Sequence, residues 1–313
     1  MSKVKVKSKG RAIKNPFFYE LIKNKYLYIM ALPGLLYFLI FCYFPMYGAV
    51  IAFKDYAPAL GILKSPWAGF DNFIKFFNSV NFKSVLSNTI VLSLYGMVVG
   101  FPLPIIFALL LNELRLKKFK SFVQTVTYIP HFISMVVVCG IIVNFSMKEG
   151  LFNTILGYFG VPAENLLLKP ELFKSIYVFS SVWQETGWDS IIYLAALTGI
   201  DSTFYEAADV DGAGRWRKMF YITIPGILPT IVIVLILKLG NIMNVGFEKV
   251  ILLYNSITRD SADVISSYVY RKGIIDYDYS FATAVGLFNS VANVIILTLA
   301  NTISRKVSES SLW

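Results

Sequence analysis

Residues 205–225 read YEAADVDGAGRWRKMFYITIP, a charged, glycine-broken stretch set between two apolar blocks. Glu206, Ala207 and Ala208 are good helix formers, so Phe204 to Asp211 reads as a short helix. The DGAG at 211–214 is expected to end it, because Gly212 and Gly214 can adopt the positive φ that a sharp turn needs. A second helix is expected from Arg215 to about Thr223, with Trp216, Met219, Phe220 and Thr223 on one face. Pro225 should break the chain before the next apolar block. Two short helices with a tight elbow, small side chains at Ala207 and Ala208 and an anionic contact at Glu206 have the shape of a docking element. The alternative is an ordinary re-entry loop tucked against its own bundle.

The surroundings of this elbow are apolar. The 313 residues are 56% hydrophobic and 15% charged, with mean hydropathy +0.62, against about 25% charge in a soluble domain. A bilayer span needs roughly 20 mostly apolar residues. About six blocks qualify, at 28–53, 85–111, 122–146, 175–198, 227–247 and 280–303. In hydrocarbon the backbone must satisfy its own polar groups, which predicts helices and an all-α integral membrane protein.

The net charge of +10 is placed asymmetrically. Seventeen of the 29 Lys and Arg residues precede the first block or follow the second, fourth and sixth; eleven lie on the other side and Lys238 lies inside a block. The positive-inside rule puts both termini in the cytoplasm. That placement accounts for the basic charge without nucleic acid. The division expected is a basic cytoplasmic arm at 1–25, a first span with an outer loop and interfacial helix at 26–84, a transmembrane domain at 85–304 and a cytoplasmic tail at 305–313. In the outer loop, Phe73, Ile74, Phe76 and Phe77 are candidates for one face of that interfacial helix. The N-terminal segment does not read as a cleaved signal, since its apolar run is span-length. Cys42 and Cys139 fall in spans, so no disulfide framework is implied.

No outer loop is long enough for a solute-capturing domain, so a dilute solute would be captured by another subunit. There is also no G-x-x-x-x-G-K-[ST] phosphate loop, so ATP would be hydrolysed elsewhere. Glu206-Ala207-Ala208, Gly212, Ile222 and Pro225 stand at the spacing E-A-A, three residues, G, nine residues, I-x-L-P, with Ile224 where Leu is usual. In this the stretch resembles the EAA motif of ATP-binding-cassette import permeases. The segments GFDNFIKFF, YIPHFIS, WDSIIYLAALTGID and NVGFEKVILLYN resemble the maltose-type, carbohydrate-uptake branch, and the likeness covers roughly 26–304. It implies a type-1 importer permease fold, with the elbow (Glu206, Ala207, Ala208, Gly212, Gly214, Ile222, Pro225) as a cytoplasmic coupling helix resting on an ATPase. It further implies a second permease subunit, two ATPase subunits carrying ATP-Mg, and an extracellular or periplasmic solute-binding protein. The chain itself would bind no cofactor or metal and would catalyse nothing.

Polar side chains inside spans are costly and so mark solute contacts or partners. Here they are Ser181, Trp183, Gln184, Glu185, Trp188 and Asp189 in the fourth block, Lys238, Asn241 and Asn244 in the fifth, and Asn289 and Asn293 in the sixth. The family resemblance places the solute on the helices flanking the EAA loop, which implies Ser181, Gln184, Glu185, Trp188, Asn241 and Asn244. Amides and hydroxyls suit sugars, being donors and acceptors at once. Several have a structural alternative: Asn241 and Asn244 as interhelical bonds, Trp183 and Trp188 as interfacial belt, Lys238 as a counter-ion of Glu185 or Asp189. His131, the only histidine, reads as structural. Rival readings are a permease for another solute class such as peptides, a proton-coupled secondary transporter using Glu185 or Asp189 as relay, and an intramembrane enzyme.

Overall fold

A computed structural model describes residues 23–308. The basic arm expected at 1–25 and the tail at 305–313 lie largely outside the described residues. The chain divides into two units, Met1–Val50 and Ile51–Trp313, each taken by itself. Among the described residues everything regular is helical, apart from one isolated bridge between Lys54 and Trp67.

The first unit holds most of α1, a helical rod that runs Lys25–Phe53 and is long and apolar enough to cross a membrane. It contains a π turn at Phe38–Tyr43, just ahead of Pro45. Proline lacks an N–H and its ring crowds the carbonyl four residues earlier, and a wider turn relieves both.

The second unit is a helical bundle. Its members are α2 (Phe82–Gly100), α3 (Pro102–Glu113), α4 (Lys117–Tyr128), α5 (Met135–Ser146), α6 (Pro170–Thr198), α7 (Ser202–Val210), α8 (Arg215–Gly240), α9 (Phe247–Leu253), α10 (Ile265–Tyr270) and α11 (Tyr279–Ser308). Five helical stretches satisfy length and composition for a span: α1, α2 with α3, Met135–Gly157, α8, and α11 through Lys306. The 29-residue α6 is long enough but not apolar enough to join them. Its Ser181 and Thr186 hydroxyls and its Glu185 and Asp189 carboxylates line a cavity, described below.

Four expectations need correction. The block 122–146 is not one helix; α4 gives way to a 3-10 turn at Ile129–Phe132 and α5 restarts at Met135. Pro130 forces the break, and the Ser134 hydroxyl caps the restart by accepting from the Val137 N–H at 3.5 Å. Pro225 does not break α8; a π turn at Met219–Thr223 absorbs it and the helix runs on, as at Pro45 in α1. The fifth block ends early, at Gly240, and Asn241–Gly246 is unwound. In the outer loop, the helix Asp71–Phe77 does form. Its aromatic residues do not share one face: Phe76 is fully buried against Tyr268, Phe281 and Phe288, while Ile74 and Phe77 are exposed.

Three apolar clusters hold the bundle. One joins α2, α5, α6 and α9 through Leu92, Val138, Phe173, Val178 and Val250. A second packs Phe76, Val85, Tyr268 and Val285 around α11. The third, of Ala108, Leu109, Tyr193, Leu197 and Ile227, locks α3, α6 and α8. It sits where α6 and α8 flank the elbow, so a force on the elbow meets a packed base.

Candidate functional site: a rigid elbow and a polar cavity

The elbow is closed almost entirely by its own backbone. Asp201 opens α7, its side chain accepting from the Thr203 N–H at 2.9 Å; that bond holds the carboxyl below its ordinary range. At the other end Gly212 has φ +70°. The Ala213 N–H reaches the Ala208 carbonyl at 2.8 Å and the Gly212 N–H reaches Asp209 at 3.1 Å. These two bonds around a left-handed glycine are a Schellman cap. The elbow is then tied to α8 by a Tyr205–Thr223 hydroxyl pair at 2.9 Å and by an ion pair between Lys218 and Asp209. Gly226 permits α8 to approach Ile200, whose Cδ1 would lie 2.8 Å from an added Cβ. The outward side carries Phe204, Glu206, Ala207 and Val210, the last 90% exposed. Trp216 and Phe220 stack at 6.3 Å and are also exposed.

On the far side of α6 and α8 lies a cavity of about 330 Å³. Its walls are α2 at Ser93–Met97, α6 at Ser181, Glu185 and Asp189, and the unwound turn Asn241–Gly246 with Lys238. The turn spends few hydrogen bonds on itself. Ser93 donates to the Ile242 carbonyl at 2.5 Å, Ser266 donates to Val245 at 2.5 Å, and the Met243 N–H donates to Asn293 Oδ1 at 3.0 Å. Asn289 donates to Asn244 Oδ1 at 2.6 Å. Irregular backbone survives at membrane depth only when protein or a wet cavity satisfies it, and here three helices do so.

The charges of the cavity are paired across elements. Lys238 of α8 meets Asp189 of α6 at 2.5 Å, and Glu185 meets His131 Nδ1 at 2.8 Å. Lys249 of α9 is buried, donates to Ser181 Oγ at 2.7 Å and lies over the Tyr177 ring. Around His131, α6 clasps the break between α4 and α5. Trp188 stacks on the imidazole at 4.5 Å and 3°, and Gln184 reaches the Ile133 carbonyl at 3.5 Å. Gly187 abuts Thr127, whose carbonyl oxygen would lie 2.2 Å from an added Cβ.

Residues 100–309 match the family model described as binding-protein-dependent transport system inner membrane component. The polygalacturonan/rhamnogalacturonan transport system permease protein YteP of Bacillus subtilis (strain 168) is 46% identical over 94% of this chain and 92% of its own length. The protein LplB of the same organism is 45% identical over 93% of this chain and 92% of its own. The chain belongs to this family.

Among solved structures, the permease resembles a chain of a bacterial ABC transporter involved in the import of the acidic polysaccharide alginate, with TM-score 0.86 and 43% identity over 94% of this chain and 100% of that one. A chain of the bacterial alginate ABC transporter in complex with an alginate pentasaccharide-bound periplasmic protein gives 0.87 and 42% over 95% and 100%. The present chain is accordingly a membrane-embedded permease component of an ABC importer, with the type-1 importer permease fold.

Of the residues singled out from the sequence, Ser181, Glu185, Asn241 and Asn244 line the permease cavity together. Gln184 and Trp188 do not: they point from the same helix onto the α4–α5 break. One turn of α6 therefore serves two faces. Sequence reasoning did not find Lys249, grouped with the outer-loop cations, or the hydroxyls of Ser93 and Ser266. For the serines the available signal was a polar group in or beside an apolar block; for Lys249 there was none. His131 is structural in the sense that it holds Glu185, a cavity residue.

Proposed function

We propose that this permease carries an oligosaccharide into the cytoplasm, driven through residues 201–225 by a separate ATPase. The observation that carries the coupling half is the elbow itself. It is capped, tied to α8 at Thr223 and Lys218, and yet presents Phe204, Glu206, Ala207 and Val210 outward. A lever needs that combination, because a floppy loop would absorb the displacement it is meant to transmit. Glu206, Ala207, Ala208, Gly212, Gly214, Ile222 and Pro225 are the residues assigned to it. The partner ATPase pair holds ATP-Mg and supplies the energy; this chain binds no cofactor or metal and performs no catalysis. A second permease completes the channel, and a solute-binding protein delivers cargo from outside. Both termini face the cytoplasm, in keeping with the placement of Lys and Arg.

The saccharide half is supported by the cavity, whose wall offers Ser181, Asn241 and Asn244 to hydroxyls and ring oxygens. Similar proteins serve polygalacturonan and rhamnogalacturonan transport and alginate import, in keeping with it. The test is solute-stimulated ATPase activity of the reconstituted complex, with oligosaccharides and peptides of matched length. Stimulation by uronate or neutral oligosaccharides alone is expected. Transport that continues without ATP but stops with a protonophore would refute the coupling.

A further inference from the structure

The amides of the unwound turn form a directed row. Asn289 Nδ2 donates to Asn244 Oδ1 at 2.6 Å, and Asn244 Nδ2 donates to Asn241 Oδ1 at 2.5 Å. Asn244 and Asn241 line the cavity, whereas Asn289 of α11 stands behind them and is 7% exposed. The tail of the row is Asn289 Oδ1, buried and without a hydrogen-bond partner. The head is the Asn241 amide nitrogen, whose two N–H groups are left for the cavity once its oxygen is taken. A buried acceptor without a donor is costly and uncommon. Turning Asn289 over would set its oxygen against Asn244, which would have to donate in return. Every later bond in the row would then reverse.

We propose that Asn289 is a positioning residue for the solute. It sets the direction of the row so that the wall at Asn244 and Asn241 donates hydrogen bonds to acceptor oxygens of the cargo. This rests on the reading of the cavity as the solute path. Acceptor oxygens come from two sources, the carboxylates of a sugar acid and the ring or hydroxyl oxygens of a neutral sugar, and the row serves either.

Asn289→Asp tests the direction, because a carboxylate only accepts. Asn244 would turn its N–H groups toward it, Asn241 would donate to Asn244, and an oxygen would become the free end. The complete transporter, trapped with ATP and vanadate, is assayed for binding of labelled trigalacturonate and of its carboxyl-reduced trimer, beside turnover at saturating probe. Binding of both probes is expected to weaken about tenfold, the scale of one hydrogen bond replaced by a mismatch. Turnover at saturation should stay within about twofold. Asn289→Leu, which only frees the row, should weaken binding by a smaller factor, about threefold. If N289D weakens the acidic probe alone, charge repulsion explains it and the proposal is overturned; unchanged binding of both probes overturns it as well. Should N289D fail to assemble with its partners, wild-type binding by N289L overturns it. Asn244→Ala separates the two readings: if that change leaves binding unaltered, the cavity is not the solute path, whereas a loss there with N289D at wild-type affinity removes only the role of Asn289.

Discussion

The two ends of α8 depart from helical geometry in opposite ways. Before it, the elbow at 211–214 turns on a left-handed glycine and closes with backbone bonds between residues three to five positions apart. After it, the turn at 241–246 is held by side chains of α2, α10 and α11, more than twenty to about a hundred and fifty positions away. One is a local object that happens to be exposed. The other exists only because three helices converge on it. A part that transmits force benefits from the first design, since its shape survives when neighbours move. A part that opens and closes around cargo benefits from the second, since moving any one helix alters its hydrogen bonds.

Four substitutions sharpen this contrast. Gly212→Pro should have the largest effect, because φ +70° is closed to proline. Uptake into cells should fall below about a tenth of wild type while the protein remains in the membrane; the closed backbone of a Schellman cap has no other residue to turn on. Near-normal uptake would mean the elbow is not the lever. Asn293→Leu leaves the Met243 N–H unpaired and should lower stability by about 1–3 kcal/mol. Thermal unfolding in detergent would show it, with elbow-to-ATPase crosslinking unchanged; lost crosslinking would mean the two ends of α8 are one cooperative unit.

Tyr205→Phe removes only the hydroxyl tie to Thr223, worth about 1 kcal/mol. The ratio of solute moved to ATP hydrolysed should drop with solute affinity intact; a change in affinity instead would place that tie in the cavity's service. Asp209→Ala should matter least. Its partner Lys218 is partly buried, but Asp209 is itself 67% exposed and solvent screens the pair, which contributes below about 0.5 kcal/mol. Uptake measured at low and high ionic strength should differ little from wild type.

The same contrast decides what could be read in advance. Apolar blocks, their helical character and the basic bias followed from composition, because the bilayer imposes length and hydrogen-bond rules on any chain that spans it. The elbow was legible at the level of single residues: Glu206 to Ala208 continue a helix, and Gly212 ends it. Proline was legible as a disturbance but not as an outcome. Pro130 breaks a span, while Pro45 and Pro225 are absorbed by π turns, and neighbouring packing selects between these results.

The helical spans and the elbow were determined by the sequence alone, since each depends on residues a few positions apart and on the solvent around them. The cavity was decided by tertiary structure. Which of Ser181, Gln184, Glu185 and Trp188 face it, why Lys249 is buried beside Ser181, and how Asn289 reaches Asn244 all depend on the rotation of α6, α9 and α11 about their axes. That rotation is set by clusters assembled from distant segments, and no local pattern encodes it.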